Sequence, residues 1–200
     1  MGVGKVLLWL LAGTAAYEGI IQIKEHNERH TYYKWARSYC NQVNKPLLRV
    51  GMRRSMLEPP NGDVTIDIDT NVLGIPGGVH GDERNMPFMD KEFGVCFNEH
   101  TLEHLYTAED VEKAISECRR VADSAVLLAP SPYSIYASLF NPTHHLRLWF
   151  DNQKNQIIVR SNTWNTGLGF IYEGNTGGLG KNVVAQVIVT YTPLQLPLII

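Results

Sequence analysis

Four short runs of largely continuous apolar character constrain this chain most: Leu47 to Gly51, Val64 to Ile68, Phe93 to Phe97 and Ser124 to Ala129. Strands of this kind need cover on both faces, which a parallel sheet flanked by helices supplies. One connecting helix is plain. Thr107 is a good N-cap, and Glu109, Asp110 and Glu112 suit the positive end of the helix dipole. Val111, Ala114, Ile115, Cys118 and Val121 recur at helical spacing as its apolar face. Between the first two strands stands Pro59-Pro60-Asn61-Gly62, which forbids a long helix there. The expected fold class is therefore α/β with a parallel sheet, and ligands are expected at the carboxyl ends of its strands.

The N-terminus carries no charge from Val6 to Tyr17, and apolar character resumes after Glu18. A helix over Val3 to Ile23 would be about 30 Å long, enough to cross a bilayer. Trp9 and Tyr17 suit membrane interfaces. Three readings stay open: a membrane anchor over residues 1–24, a signal peptide cleaved near Thr14-Ala15-Ala16, or a helix packed on the domain. If the helix spans, Lys24, Arg29, Lys34 and Arg37 follow it while only Lys5 precedes it, which leaves the domain on the cytoplasmic side. Residues 25–44 read as a helical linker. Its aromatic stripe Tyr32, Trp35, Tyr39, Val43 is expected to pack on the domain edge.

A net charge of −2 gives no general affinity for nucleic acid. Three scattered cysteines, Cys40, Cys96 and Cys118, fit neither a disulfide framework nor a CxxC metal spacing. Beyond the main domain, expected over residues 45–161, two strands flank the turn Asp151-Asn152. Residues 162–200 hold only two charged side chains, Glu173 and Lys181, and six glycines. This β extension is expected to bury itself against a protein partner or lipid, or to close the domain's own sheet. GNTGGLGKN (174–182) departs from a phosphate-binding loop and reads as a connection between strands.

Polar residues cluster at the ends of the apolar runs. LLRVGMRRS (47–55), VTIDID (64–69), GDERNMPFMDKEFGV (81–95) and FNEHTLEHL (97–105) follow one another in this order. With these residues the chain resembles the class I S-adenosylmethionine-dependent methyltransferases, in particular those acting on small molecules and lipids. The likeness runs from about Lys45 to Pro132, and Gly81-Asp82 through Phe93-Gly94-Val95 to His100-Thr101-Leu102-Glu103-His104-Leu105 is its most specific part. The resemblance implies a Rossmann-like parallel sheet and S-adenosylmethionine as cofactor. It implies that Asp67 accepts hydrogen bonds from the ribose hydroxyls, that Asp82 meets the adenine, and that Gly51 lies under the methionine moiety. Asn98 is a further candidate cofactor contact.

The first glycine motif is degenerate. Arg49 stands at its acidic position, and Arg53 and Ser55 replace its later glycines. An arginine there fills the space of the cofactor or forces the loop to move. Arg49, Arg53 and Arg54 instead suit an anionic ligand or lipid phosphates, or form a solvated basic loop. His100 and His104, four residues apart on an expected helical turn, suggest a metal or a general base. With no evident third ligand beyond His144-His145 no metal is expected, and His100 is the candidate base beside a methyl acceptor. The expected function is methyl transfer to a small or lipid-soluble acceptor at a membrane; the rival is an inactive scaffold of the same fold that binds lipid or partner subunits.

Overall fold

A computed structural model describes residues 3–151, 156–161, 171–174, 179–183 and 186–190. One helix, α1 (Val3–Val43), runs without a break through both segments expected as anchor and linker. It is followed by strands β1 (Leu47–Val50), β2 (Val64–Asp67), β3 (Gly78–His80) and β4 (Phe93–Glu99). Helix α2 (Ala108–Val121) then leads into β5 (Ala122–Leu128). Thr107 caps α2 by accepting a hydrogen bond from the Asp110 amide at 3.0 Å. The five strands pair in parallel in the order β3-β2-β1-β4-β5. This is the doubly wound, Rossmann-like order, and it reverses between β1 and β4, where the strand ends open a crevice.

Both faces of the sheet are covered, as the apolar runs require. On one face Leu47, Val95, Phe97, Val126 and Leu128 pack against Tyr33, Ala36 and Cys40 of α1. The buried row is thus displaced by one residue from the expected Tyr32–Trp35–Tyr39 stripe, which flanks it half-buried. Gly94 allows the close approach: a Cβ there would stand 3.0 Å from Cys40 Sγ. On the other face Leu48, Val50, Cys96, Ala125 and Leu127 meet Val111, Ala114, Ile115 and Cys118 of α2.

Strands β6 (Leu146–Asp151), β7 (Gln156–Ser161) and β8 (Ile171–Gly174) form an antiparallel sheet; Asp151 of the expected turn ends β6, and Asn152 lies outside the described residues. Leu146, Leu148, Phe150, Ile157 and Val159 join the core on the α2 side. Strands β9 (Leu179–Val183) and β10 (Gln186–Thr190) pair antiparallel, and β10 lies beside β5. Part of 174–182 is therefore strand. The apolar end 194–200 lies outside the described residues.

The outer half of α1 leaves the domain. Side chains from Gly4 to Tyr17 are all exposed, whereas Glu18 accepts hydrogen bonds from the Ser134 hydroxyl and the Ile135 amide. Glu25 is buried and accepts from the Ser131 amide at 2.7 Å. The helix expected over Val3 to Ile23 is present; it is bare over residues 4–17, and Glu18 ties its following turn to the 131–135 loop.

Burial raises the Glu25 pKa from 4.5 to about 7. Its folded-state value lies above its unfolded one, so its contribution to stability is complete below pH 4.5 and is lost as pH rises through 7. Glu25→Gln is expected to recover a loss on the order of 3 kcal/mol at alkaline pH, read from urea unfolding across the pH range. An unchanged pH profile would count against this role. In the same assay Arg49→Met, which strips the buried Glu99 of a partner, is expected to cost about 3–5 kcal/mol at neutral pH.

Candidate functional site

The loop after β1 departs from glycine-rich phosphate or cofactor loops, yet it lines the crevice without filling it, through Gly51, Met52, Arg54 and Glu58. Arg49 is 2% exposed and is consumed internally. Its Nε donates to Gly51 O at 2.8 Å and its Nη1 to the carbonyls of Pro59 and Pro60. Its Nη2 stands 3.1 Å from Glu99 Oε2 and 3.4 Å from Glu58 Oε2. Arg29 of α1 pairs with the other Glu99 oxygen. Arg49 has no donor to spare for lipid phosphate, which corrects that expectation. Arg53 curls onto the carbonyls of Ser55 and Met56, so it does not fill the cofactor space either. Gly51 keeps the motif's first glycine, with φ +87° and a phantom Cβ only 2.7 Å from Thr101 Cγ2.

Asp67 ends β2 at the crevice. One of its carboxylate oxygens accepts from the Met52 amide at 2.7 Å and the other from the Asp69 amide at 2.8 Å. Each oxygen keeps a second acceptor position. The exposed Arg54 guanidinium hovers over this carboxylate at 3.5 Å and pairs with Asp69 at 3.1 Å. Asp82 is differently placed: the Arg84 backbone amide and guanidinium occupy both of its oxygens, and Arg84 is fixed in turn by Asp110. Asn98 does not project freely. Its Nδ2 donates to Glu83 Oε2 at 2.6 Å, an oxygen shared with the Thr101 hydroxyl at 2.8 Å. Burial raises the Glu83 pKa to about 7. Glu83 follows Asp82 in the sequence and carries no pattern of its own that marks it.

The histidines do not share a helical turn. His100 follows β4 with φ +53°, and Leu102–His104 forms a short 3₁₀ turn. The tertiary fold then supplies the partner the sequence left open: His144, ahead of β6, stands 3.8 Å from Glu103 Oε1 through its Nε2. His104 Nε2 is 4.0 Å and His100 Nδ1 3.9 Å from the same oxygen. Burial holds His100 well below the ordinary imidazole value, lowers His104, and takes His144 to about 4, while it raises Glu103 to about 8. All three rings are therefore neutral at pH 7.

These groups line one cavity of about 650 Å³ at the carboxyl ends of β1, β2 and β4. Gly51, Asp67, Asp82 and His100 all lie on its wall; Asn98 reaches it only through Glu83 and Thr101. Arg29 and Glu99 also line it, and only the docking of α1 on the sheet brings the former there.

Residues 57–129 match the family profile of a methyltransferase domain. A search of curated proteins returns no match. Among solved structures the chain is similar to a SAM-dependent methyltransferase from Archaeoglobus fulgidus, with 19% identity, a TM-score of 0.42, and coverage of 62% of this chain and 73% of that one. A protein from Pyrococcus horikoshii OT3 gives 13% identity and a TM-score of 0.41, covering 76% and 85%. An S-adenosylmethionine-dependent methyltransferase from Clostridium acetobutylicum gives 9% identity and a TM-score of 0.42, covering 82% and 76%. Residues 57–129 are thus methyltransferase-like by their family match, and they lie in a parallel sheet whose own 3-2-1-4-5 order is Rossmann-like.

Proposed function

We propose that this chain is a membrane-tethered methyltransferase that takes S-adenosylmethionine in the cavity at the ends of β1, β2 and β4. One observation carries the reading. Gly51, with no room for a side chain, and Asp67, with an acceptor position left on each oxygen, face the same cavity at the point where the strand order reverses. About 650 Å³ lies within the range of ligand pockets. The cofactor, when bound, supplies an electrophilic methyl group on a sulfonium. The protein has only to bind, orient and exclude water, with Asp67 for the ribose diol and Gly51 for close backbone approach. His100, neutral and half-buried at the cavity wall, can take a proton from an acceptor. With Asp82 saturated by Arg84, the adenine end requires another contact or a shift of that pair.

The tether rests on α1. Its exposed residues 4–17 span only about 21 Å, short of a hydrocarbon core of ~30 Å. Beside the helix, where Glu18 meets the domain, Tyr133, Tyr136, Leu139 and Phe140 are exposed as well. Together they let the helix enter the bilayer while the 133–140 loop rests in the interface, with the domain on the cytoplasmic side. The acceptor is then a small or lipid-soluble molecule that reaches the cavity from the membrane surface.

A second reading has its own observation: Arg84 fills both oxygens of Asp82 and the Arg54 guanidinium offsets the charge of Asp67 from 3.5 Å, as a binding scaffold without cofactor would have them. Titration calorimetry with S-adenosylmethionine decides between the two. Micromolar affinity is expected, weakened at least about tenfold by Asp67→Ala and tightened by Arg54→Ala, whose exposed ion pairs are worth little. No heat at millimolar cofactor, in either the wild type or Arg54→Ala, establishes the scaffold. For the tether, the chain is expected to float with phosphatidylcholine vesicles and to stay in solution when Leu7, Leu8 and Leu11 are replaced by Gln. Flotation of that variant would refute the helix as anchor.

A further inference from the structure

Glu103 presents a problem the cofactor does not solve. Its side chain is 2% exposed, and neither carboxylate oxygen has a hydrogen-bond partner. A buried carboxyl with both oxygens unmatched is costly and calls for an ion or water in its reach. Among the described residues, ring nitrogens of His144, His100 and His104 stand 3.8–4.0 Å from its Oε1. We propose that Glu103, His104 and His144 bind one divalent transition-metal ion, with its remaining coordination positions open to the cavity.

The two histidines are already set as ligands. His104 Nδ1 is 2.9 Å from Thr143 O, and His144 Nδ1 is 3.1 Å from Ala137 O. A carbonyl only accepts, so both rings carry their proton on Nδ1 and turn an Nε2 lone pair inward. Such outer contacts to backbone carbonyls are what fix the tautomer and aim of metal-bound histidines. The donor atoms of all three side chains lie within 4.8 Å of one another. Around an ion at ~2.1 Å, tetrahedral donors stand roughly 3.4 Å apart. The observed 3.8 and 4.0 Å to Glu103 Oε1 exceed that by about half an ångström, and the two ring nitrogens lie within 4.8 Å of each other, so the three side chains draw together around the ion.

One contact has to yield: the Asn141 amide nitrogen stands 2.8 Å from His144 Nε2. Two imidazoles and a carboxylate suit zinc, iron(II), cobalt or manganese, whereas magnesium and calcium prefer all-oxygen shells. Three protein ligands also leave room for a donor atom from a molecule in the cavity. His100 is the nearest candidate for a fourth ligand. Its Nδ1 stands 3.9 Å from Glu103 Oε1, and its backbone is held at φ +53° just after β4.

The test uses the full chain in detergent, stripped by chelator, titrated with Zn²⁺ alone by calorimetry and with Co²⁺ alone by absorption spectroscopy. One equivalent is expected to bind, with a Co²⁺ spectrum of low coordination number. His104→Ala is expected to weaken binding at least about 100-fold, beyond the 10–100-fold cost of an outer-shell change. Its side chain is 44% exposed, so folding is not at stake. Asn141→Ala, which removes the competing amide, is expected to tighten binding. His26→Ala, at the other close imidazole pair, His26–His30, is expected to change nothing. Absence of one-equivalent uptake, binding untouched by His104→Ala, or loss of binding in His26→Ala would each overturn the site. Uptake of the ion needs no cofactor, so failure here and failure of the methyltransferase reading are seen separately.

Discussion

The buried pair of Arg49 and Glu99 is the contact on which the arrangement of this domain depends. Arg49 belongs to β1 and Glu99 to β4, the two central strands, and their charges meet 3.1 Å apart beneath the crevice. Burying both charges is expensive and is offset only by full use of the remaining donors. That use is complete for Arg49, whose guanidinium holds the 51–60 loop through Gly51, Pro59, Pro60 and Glu58. Glu99 reaches in the opposite direction to Arg29 and fixes α1. A connection that elsewhere needs a helix is thereby held by one side chain, and the double proline costs the fold nothing.

This inversion of charge at the end of β1 explains the character of the cavity. Arginine in place of an acid turns inward rather than toward the ligand, so the crevice is not plugged. The acids around it are nonetheless partnered: Asp67 by two amides, Asp82 by Arg84, Glu83 by Thr101 and Asn98. Glu99 has arginines at both oxygens, whereas Glu103 has neither oxygen hydrogen-bonded, and the neutral imidazoles around it make that position chemically specific. The cavity therefore has two poles, a diol-accepting side at Asp67 and a histidine-rich side at Glu103.

Helix α1 runs unbroken from a stretch without protein cover onto the face of the sheet. Its inner half covers the sheet with Tyr33, Ala36 and Cys40, and its outer half projects Leu7 to Leu11 with no protein cover. The boundary is set by polar contacts, Glu18 to Ser134 and Ile135 and Glu25 to Ser131. These fix the distance between the apolar tip and the mouth of the cavity, to which the same helix contributes Arg29.

Much of this was written in local sequence. Continuous apolar runs demanded a parallel sheet covered on both faces, Thr107 and the acids after it started α2, and Pro59-Pro60 ruled out a helix between β1 and β2, because each of these is a short-range consequence of side-chain chemistry. The aromatic stripe on α1 located the right helix and missed its buried row by one position, since large aromatics also flank a contact. Tertiary structure alone decided the rest. Arg49 looked like a basic loop residue until Glu99, fifty positions on, lay beside it. His144 joined Glu103 and His104 only through the turn before β6. Pairings between residues far apart in the chain leave no trace in local spacing, and here they determine which charges are buried and which groups face the cavity.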